Sequence, residues 1–468
     1  MIELIRTGQP LSFRQRLWLT VQLSWPAIMA QLSSILMQYI DAAMVGRLGA
    51  DDSAAVGLVS TSLWLFWGLC SAATVGFSVQ VAHRIGANDP AGARGVLRQG
   101  ITASVAFGLI MALIGVAIAS PLPGWLGGTE AVNGKASVYF LVFVAALPIL
   151  TLNYLGSAML RASGNMKTAG ALNVMMCVLD VIFNFFLIFP TRSVEIAGME
   201  LTLPGAGLGV LGAALGTVTA QTASVALALV WLKSRRTNIH VKRSDLRPQP
   251  EVLGSILKIG VPVAVQDGCI QVAFMFITVI ANHRGLVDAA AVGLVEKMIS
   301  FLFIVPSSMG ATVSALTAQN AGAGKGDRAR QVLKDAMTIS VVYGCLITVL
   351  MWLVAPAFIG FFAKDAAVVA AGTGYMRSYI FDAIFAGIHI CFSSFFAAYG
   401  KSYIGFAHNV LAVALIRVPG AWLLSNAYSD TLFPMGIASS CGSILSAVIC
   451  VIAFTVLNRR GAFDKLVA

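Results

Sequence analysis

The chain has 468 residues, of which 58% are hydrophobic and only 11% are charged. Soluble domains carry about 25% charged residues, so this composition and the mean hydropathy of +0.85 exclude an ordinary set of soluble domains. The net charge of +11 could suit nucleic acid, but most Lys and Arg lie at the N-terminus, in every second loop and at the C-terminus. This is the positive-inside bias of a membrane protein, so we expect contact with membrane lipid and none with nucleic acid.

Apolar runs of roughly 20 or more residues recur along the chain, and each is long enough to cross a bilayer as a helix. They predict an all-α polytopic membrane protein with twelve transmembrane helices, in a cell (inner or plasma) membrane, with both termini in the cytoplasm. The predicted helices cover residues 17–46, 52–82, 96–120, 135–160, 168–190, 207–232, 253–282, 288–318, 331–361, 370–398, 403–427 and 432–457.

The two halves of the chain are related by an internal repeat. The segment Ala54–Val59 recurs almost unchanged as Ala290–Val295, at an offset of 236 residues. The same offset relates Pro26 to Pro262, Gly86 to Gly322, and Gly164 to Gly400. An even number of helices per repeat predicts two six-helix bundles in the same orientation, related by a pseudo-two-fold axis along the membrane normal. We assign residues 1–232 to the N-terminal lobe, 233–250 to a cytoplasmic linker and 251–468 to the C-terminal lobe.

The first predicted helix carries a polar stripe that ends in an acid. The spacing places Ser24, Gln31, Ser34, Gln38 and Asp41 on one face. Polar residues at membrane depth usually face a cavity or a partner, so Gln31, Ser34 and Gln38 are candidates for lining a substrate cavity. Pro26 interrupts the backbone hydrogen bonds of the same helix, which predicts a hinge; the alternative is a static kink.

The fifth predicted helix has a matching stripe, with Asn173, Asp180 and Asn184 on one face. Asp41 and Asp180 both fall in the outer half of the membrane, where two carboxylates that share a cavity can hold a proton or a sodium ion. Asn184 and Thr217 of the sixth helix could complete an oxygen shell. We therefore predict a cation-coupling site of Asp41, Asp180, Asn184 and Thr217. The alternative is that hydrogen bonds pin these acids for helix packing.

The second half has fewer such signals. Asp267 and Gln271 share a face of the seventh helix, and Asp382 and His389 share one of the tenth. All four are cavity candidates, and for both acids a structural role is the alternative. Glu296 is followed by Lys297, which we interpret as an interfacial ion pair; the alternative is a functional site at Glu296. The repeat partner of Asp41 is Ile277, so we expect the coupling chemistry to lie in the first half.

The motifs of enzymes and metal sites are missing from the sequence. Its five histidines are scattered, none of the cysteines forms a CxxC pair, and the glycines around Lys325 lack the P-loop spacing. We therefore expect no enzymatic activity, no metal site and no cofactor apart from the coupling ion, which is a proton or sodium.

Several segments resemble the multidrug and toxic compound extrusion (MATE) family, in the same order along the chain. They are Trp25-Pro26, Asp41–Gly49, Arg84–Asn88, Leu160–Asn165, Gln319–Gly324 and Arg417–Pro419. The resemblance implies two six-helix lobes around a cavity and antiport of drugs against protons or sodium. It places the family's acid of helix 1 on Asp41, its polar pair of helix 5 on Asp180 and Asn184, and its threonine of helix 6 on Thr217. Members that also use the second lobe have a glutamate in helix 7, where this chain has Ile270.

The sequence thus predicts a monomeric, cation-coupled antiporter that exports amphipathic, cationic organic molecules by alternating access. One alternative is a flippase of related fold for a lipid-linked precursor, which would need a strongly basic cavity. An intramembrane enzyme is the other, and it would need a nucleophile–base pair or a metal motif.

Overall fold

The structure is a computed structural model that describes residues 12–196, 199–233 and 250–464. Residues 234–249, which make up nearly all of the predicted linker, lie outside the described residues. The helices are α1 (Phe13–Gly46), α2 (Ala50–Gly86), α3 (Pro90–Ala119), α4 (Leu122–Trp125), α5 (Glu130–Ala145), α6 (Leu147–Ala162), α7 (Met166–Ile188), α8 (Gly209–Lys233), α9 (Pro250–His283), α10 (Leu286–Leu302), α11 (Ile304–Gly322), α12 (Gly326–Gly360), α13 (Ala366–Tyr379), α14 (Asp382–Ala398), α15 (Ser402–Ala412), α16 (Val418–Ala427) and α17 (Phe433–Arg459).

Twelve segments of the described residues are long and apolar enough to cross a membrane, which confirms the predicted spans. Nine of them are continuous, and three are pairs of helices bent at a short break. The bends are 49° between α5 and α6, 45° between α10 and α11, and 45° between α13 and α14. Each pair was expected as one straight helix. Pro148 and Pro306 follow the first two breaks, and proline cannot donate the backbone bond that would continue a helix. The third break has no proline.

The eleventh span is continuous but irregular. A π-helical turn at Val413–Arg417 joins α15 to α16, two residues before Pro419. Because proline removes a backbone donor from the regular helical ladder, the preceding turn widens to keep the helix running. Arg417 is the last residue of this turn.

A small β-hairpin between α7 and α8 was not predicted. Strands β1 (Pro190–Ile196) and β2 (Met199–Ala206) pair antiparallel, with Val194 opposite Leu201. The segment lies outside the apolar runs and is too short to cross a membrane. It adds one hairpin to a class that is otherwise all-α, as predicted.

The described chain forms two compact units. The N-unit contains residues 29–81 and 90–255, and the C-unit contains residues up to Ile28, Ala82–Asp89 and everything from Ile256 onward. Helices α1, α2 and α9 therefore each change unit along their length, α1 two residues after Pro26. The boundaries predicted from the repeat, 1–232 and 251–468, stay a prediction, because these compact units also depend on where the ends of α1 and α2 pack.

Each unit has its own apolar core. The N-unit core is built around Leu63, Phe140 and Leu147, and one of the C-unit cores is built around Val295, Tyr375 and Met435. Large apolar side chains such as Leu113, Leu346 and Leu353 remain exposed. In a protein that spans a bilayer, such side chains face lipid, which is as apolar as they are.

Candidate functional site

The structure brings Asp41, Asp180 and Asn184 together inside the N-unit. The Asn184 amide nitrogen donates to Asp41 Oδ1 at 2.8 Å and to Asp180 Oδ2 at 3.1 Å. The two carboxyls are also close enough to interact electrostatically with each other. Asp180 and Asn184 are buried, whereas Asp41 is only partly buried. The Asn184 amide thus bridges the buried carboxyl of Asp180 and the partly buried carboxyl of Asp41.

Two helix faces meet to form this site. On α7, Asp180 and Asn184 lie one turn apart, so both point the same way. Closer to the starts of α1 and α7, the Ser34 hydroxyl donates to Asn173 Oδ1 at 3.2 Å. The polar stripes of α1 and α7 therefore contact each other at two levels, and this fixes which face of each helix carries the acids.

Helix α8 packs tightly behind the site through two glycines. A Cβ atom at Gly216 would overlap Asn184 Oδ1, and one at Gly212 would lie 2.6 Å from the Leu187 carbonyl carbon. Glycines four residues apart allow two membrane helices to approach at backbone distance. Gly216 is thus a positioning residue that the sequence reasoning missed, although the Gly-xxx-Gly pattern of α8 was available as a signal.

Thr217 follows Gly216 on α8 and lies next to Asp180. Its hydroxyl donates to the Ala213 carbonyl oxygen at 3.2 Å, so the lone pairs of its oxygen are left for another partner. Within the described residues, Asp180 Oδ1 and Asn184 Oδ1 are buried and have no hydrogen-bond partner. Buried polar atoms are nearly always satisfied, so these oxygens indicate a place where a proton or a hard cation fits.

Tyr139 of α5 is a second residue that the sequence did not indicate. It lies close enough to interact electrostatically with both Asp41 and Asp180. Its ring packs edge-on against Phe143, with 4.9 Å between the centroids. The aromatic side chain is therefore held near the two carboxyls.

The other predicted residues of α1 lie along the same helix. Gln31 and Gln38 are exposed, and Ser34 is partly buried by its bond to Asn173. Pro26 lies inside α1, in the C-unit, just before the helix passes into the N-unit. The predicted hinge thus stands near the point where α1 changes unit.

The C-unit contains a separate charged cluster. Arg417 donates to Asp382 Oδ2 at 2.8 Å, and Asp382 is 1% exposed. Glu296 accepts hydrogen bonds from the hydroxyls of Tyr375 at 2.9 Å and Tyr379 at 3.4 Å. The predicted ion pair of Glu296 with Lys297 is therefore wrong. Consecutive residues of a helix point in different directions, and Glu296 turns toward the tyrosines of α13.

The remaining cavity candidates of the C-unit do not form one site. In the part of the chain that the structure describes, Asp267 interacts with no charged residue of the Asp382–Arg417 cluster. His389 instead contacts the Ser443 hydroxyl at 3.4 Å and packs edge-on against His408. Gln271 is partly buried on α9. Among the described residues, no group of three or more His, Cys, Asp or Glu side chains is placed to hold a metal ion.

The family model MatE matches residues 26–186 and 262–423. The two matches begin at Pro26 and Pro262, the same separation as the internal repeat. The probable multidrug resistance protein YoeA of Bacillus subtilis (strain 168) is 23% identical over 409 residues, which cover 86% of this chain and 85% of YoeA. The multidrug export protein MepA of Staphylococcus aureus (strain bovine RF122 / ET3-1) is 23% identical over 415 residues, which cover 87% of each chain.

The fold of this chain is similar to the crystal structure of a mutant of VcmN, a MATE transporter of Vibrio cholerae. The TM-score is 0.85 at 20% identity, and the alignment covers 97% of this chain and 99% of that one. At this level of identity the likeness concerns the fold, which is shared from end to end.

Proposed function

Because the chain belongs to the MatE family, we propose that it is a membrane transporter that exports small organic molecules against a proton or sodium gradient. The family match also confirms the resemblance seen in the sequence motifs. The relatives YoeA and MepA are named as a multidrug resistance and a multidrug export protein. The proposed substrates are amphipathic, cationic compounds.

One observation carries the coupling mechanism: the carboxyls of Asp41 and Asp180 share the Asn184 amide inside the N-unit. Neither carboxyl forms an ion pair in the described part of the chain, so their negative charge is compensated by no basic side chain nearby. Two ionised carboxylates this close repel each other, and a bound proton or sodium ion relieves the repulsion. The unpartnered oxygens of Asp180 and Asn184, together with Thr217, would supply ligands for sodium.

The proposed cycle follows from this charge balance. With both carboxyls ionised, the site attracts a cationic substrate through Asp41, the more accessible of the two. A cation that enters from outside neutralises the pair and removes this attraction, so the substrate leaves. The ion drives the change only because it binds one conformation more tightly than the other. The hinge near Pro26 would allow α1 to repack when the pair changes charge.

Further proposals concern the setting of the transporter. The positive-inside bias supports a multi-pass protein with both termini in the cytoplasm. We propose that it acts as a monomer in contact with membrane lipid, that it binds no nucleic acid and that it needs no cofactor besides the coupling ion.

The test is Asp41→Asn, measured in proteoliposomes that contain the purified protein and a fluorescent organic cation. Asparagine keeps the shape of the side chain and removes its titratable group. Ion-driven transport should fall to the background of empty vesicles, while the melting temperature stays near that of the wild type. Imposing a proton gradient and a sodium gradient separately identifies the coupling ion. Asp365→Asn is the matched control, because Asp365 only caps the start of α13.

Full ion-driven transport by Asp41→Asn would contradict the coupling mechanism. Transport of a lipid-linked phosphate by the wild type, with no movement of organic cations, would instead support the flippase. The contacts of Arg417 weaken that alternative, because its guanidinium already pairs with Asp382, so its positive charge is compensated.

A further inference from the structure

The last turns of α2 and α11 contact each other through two glycines that are partners in the internal repeat. A Cβ atom at Gly86 would overlap the Gln319 carbonyl oxygen and lie 2.8 Å from its carbon. A Cβ atom at Gly322 would overlap the His83 carbonyl oxygen and lie 2.7 Å from its carbon. The repeat offset relates Gly86 to Gly322 and also His83 to Gln319. The contact is therefore reciprocal: the glycine of each repeat packs against the backbone of the equivalent turn in the other repeat.

Neighbouring bonds hold the same ends in place. The His83 imidazole Nε2 is 2.6 Å from the Ala398 carbonyl oxygen at the end of α14. On α1, the Ser24 hydroxyl lies 2.8 Å from the Thr312 hydroxyl of α11, and Ser24 is fully buried. The ends of α1 and α2 thus pack within the C-unit through close backbone contact, neutral hydrogen bonds and one ion pair, in which Arg16 of α1 lies 3.4 Å from Asp335 of α12.

This contact lies at the end of a helix, α2, that passes from one compact unit into the other. Residues 50–81 of α2 belong to the N-unit, whereas Ala82–Gly86 belong to the C-unit. A rearrangement of one unit against the other must therefore act on α2 or on its contact with α11. Basic residues lie close to both glycines in sequence: Arg84 and Arg94 flank Gly86, and Lys325 and Arg328 follow Gly322. The positive-inside bias assigns these residues to the cytoplasm.

We propose that the reciprocal contact of Gly86 and Gly322 is a steric latch, which is made when the cytoplasmic side is closed and breaks when that side opens. Glycine is required at both positions because any side chain would meet backbone atoms that cannot move aside. The proposal rests on the alternating access of the proposed function.

The test compares Gly86→Ala and Gly322→Ala with two matched controls. Gly57→Ala and Gly293→Ala are repeat partners in the same two spans, and no atom lies within 4 Å of a Cβ built at either. Hydrogen–deuterium exchange is followed by mass spectrometry on the purified chain in lipid nanodiscs. Either latch variant should speed exchange at residues 82–89 and 319–325 by roughly ten-fold or more, since an added methyl group in a close contact disfavours the closed state.

A latch also predicts a change of the opposite sign at the other ends of these spans. Opening one side should close the other, so exchange should slow at residues 46–50 and 283–286. Faster exchange at the latch without this slowing would reduce the contact to local packing and overturn the proposal. Equal exchange in the latch and control variants would overturn it as well.

A second variant, Ser24→Ala, tests the latch without adding volume, because it only removes the hydrogen bond to Thr312. It should shift exchange in the same directions by a few-fold even where the alanine variants do not fold, and no shift would count against the latch.

Transport by the wild type is measured separately in proteoliposomes. Loss of the proposed function would appear there, whereas failure of the latch appears only in the exchange pattern.

Discussion

Replacing Gly216 by alanine tests whether the Asn184 amide organises the carboxyl pair. A Cβ atom at this position would overlap Asn184 Oδ1 and lie 3.0 Å from the amide carbon. Helix α8 already packs at backbone distance against α7 one turn earlier, since a Cβ atom built at Gly212 would lie 2.9 Å from the Ile188 backbone nitrogen. The alanine methyl group must therefore displace the amide from the two carboxyls.

The expected magnitude follows from the contacts that change. Overpacking a close contact costs about 1–3 kcal/mol. The displaced amide also gives up two hydrogen bonds to carboxyl groups, and bonds to charged groups contribute about 1.5–3 kcal/mol each. Water can replace the bond at the partly buried Asp41 but not at Asp180, which is 1% exposed. We expect the folded protein to lose about 2.5–6 kcal/mol and its ion-driven transport to fall at least ten-fold.

The assay is ion-driven efflux of an organic cation from proteoliposomes, with the melting temperature of the same preparation as the measure of folding. Gly134→Ala on α5 is the control, because no atom lies within 4 Å of a Cβ built there. Normal transport by Gly216→Ala, at a melting temperature like that of the control, would refute the reasoning that the amide must sit between the carboxyls.

Three further predictions concern the C-unit and α1. Arg417→Met should destabilise the protein by about 3–5 kcal/mol, because it leaves the Asp382 carboxylate buried and unpaired. The double variant Arg417→Met with Asp382→Asn should recover most of the lost melting temperature. An unchanged melting temperature in Arg417→Met alone would contradict the expected loss of stability. Phe463→Ala should cost about 3–5 kcal/mol, since the ring is 1% exposed and stacks on Phe454 with centroids 5.5 Å apart, again measured by melting. Pro26→Ala restores a backbone donor to α1 and should slow efflux several-fold without lowering the melting temperature; normal efflux would exclude the hinge.

Hydropathy and loop charge were sufficient to predict the twelve spans, because a bilayer admits few alternatives to apolar helices of the right length. The bends were harder. Proline marks two of them, but the break between α13 and α14 has no local signal and depends on how those helices pack. The hairpin of β1 and β2 was missed because the prediction searched for apolar runs, and a short pair of strands outside the spans has none.

The carboxyl site shows the same division between local and tertiary information. Helical spacing alone places Asp180 and Asn184 on one face, and it also links Asp41 to the polar stripe of α1. Spacing says nothing about which helix covers that face. Gly216 and Tyr139 belong to α8 and α5, and their proximity to the acids depends on tertiary packing. The error at Glu296 has the same origin, since its tyrosine partners are about 80 residues away in sequence.

The two repeats share the glycine contact but not the acidic residues. Gly86 and Gly322 make the same backbone contact from each half, so a duplicated fold retains both. The repeat partner of Asp41 is Ile277, which is 1% exposed within an apolar core of the C-unit, and the partner of Asn184 is Gly420. A cation site needs several oxygen ligands at once, and these equivalent positions supply none.

Asp382, one of the acids that the C-unit buries, already has a cation, because Arg417 is bound to it at 2.8 Å. A fixed guanidinium cannot be exchanged with the medium, so this pair cannot follow an ion gradient, whereas the uncompensated pair of Asp41 and Asp180 can. Two repeats that close through matched glycines need only one exchangeable charge to bias them. We therefore propose that the coupling chemistry lies in the N-unit, whereas the pair of Asp382 and Arg417 stabilises the packing of α14 against the α15–α16 span.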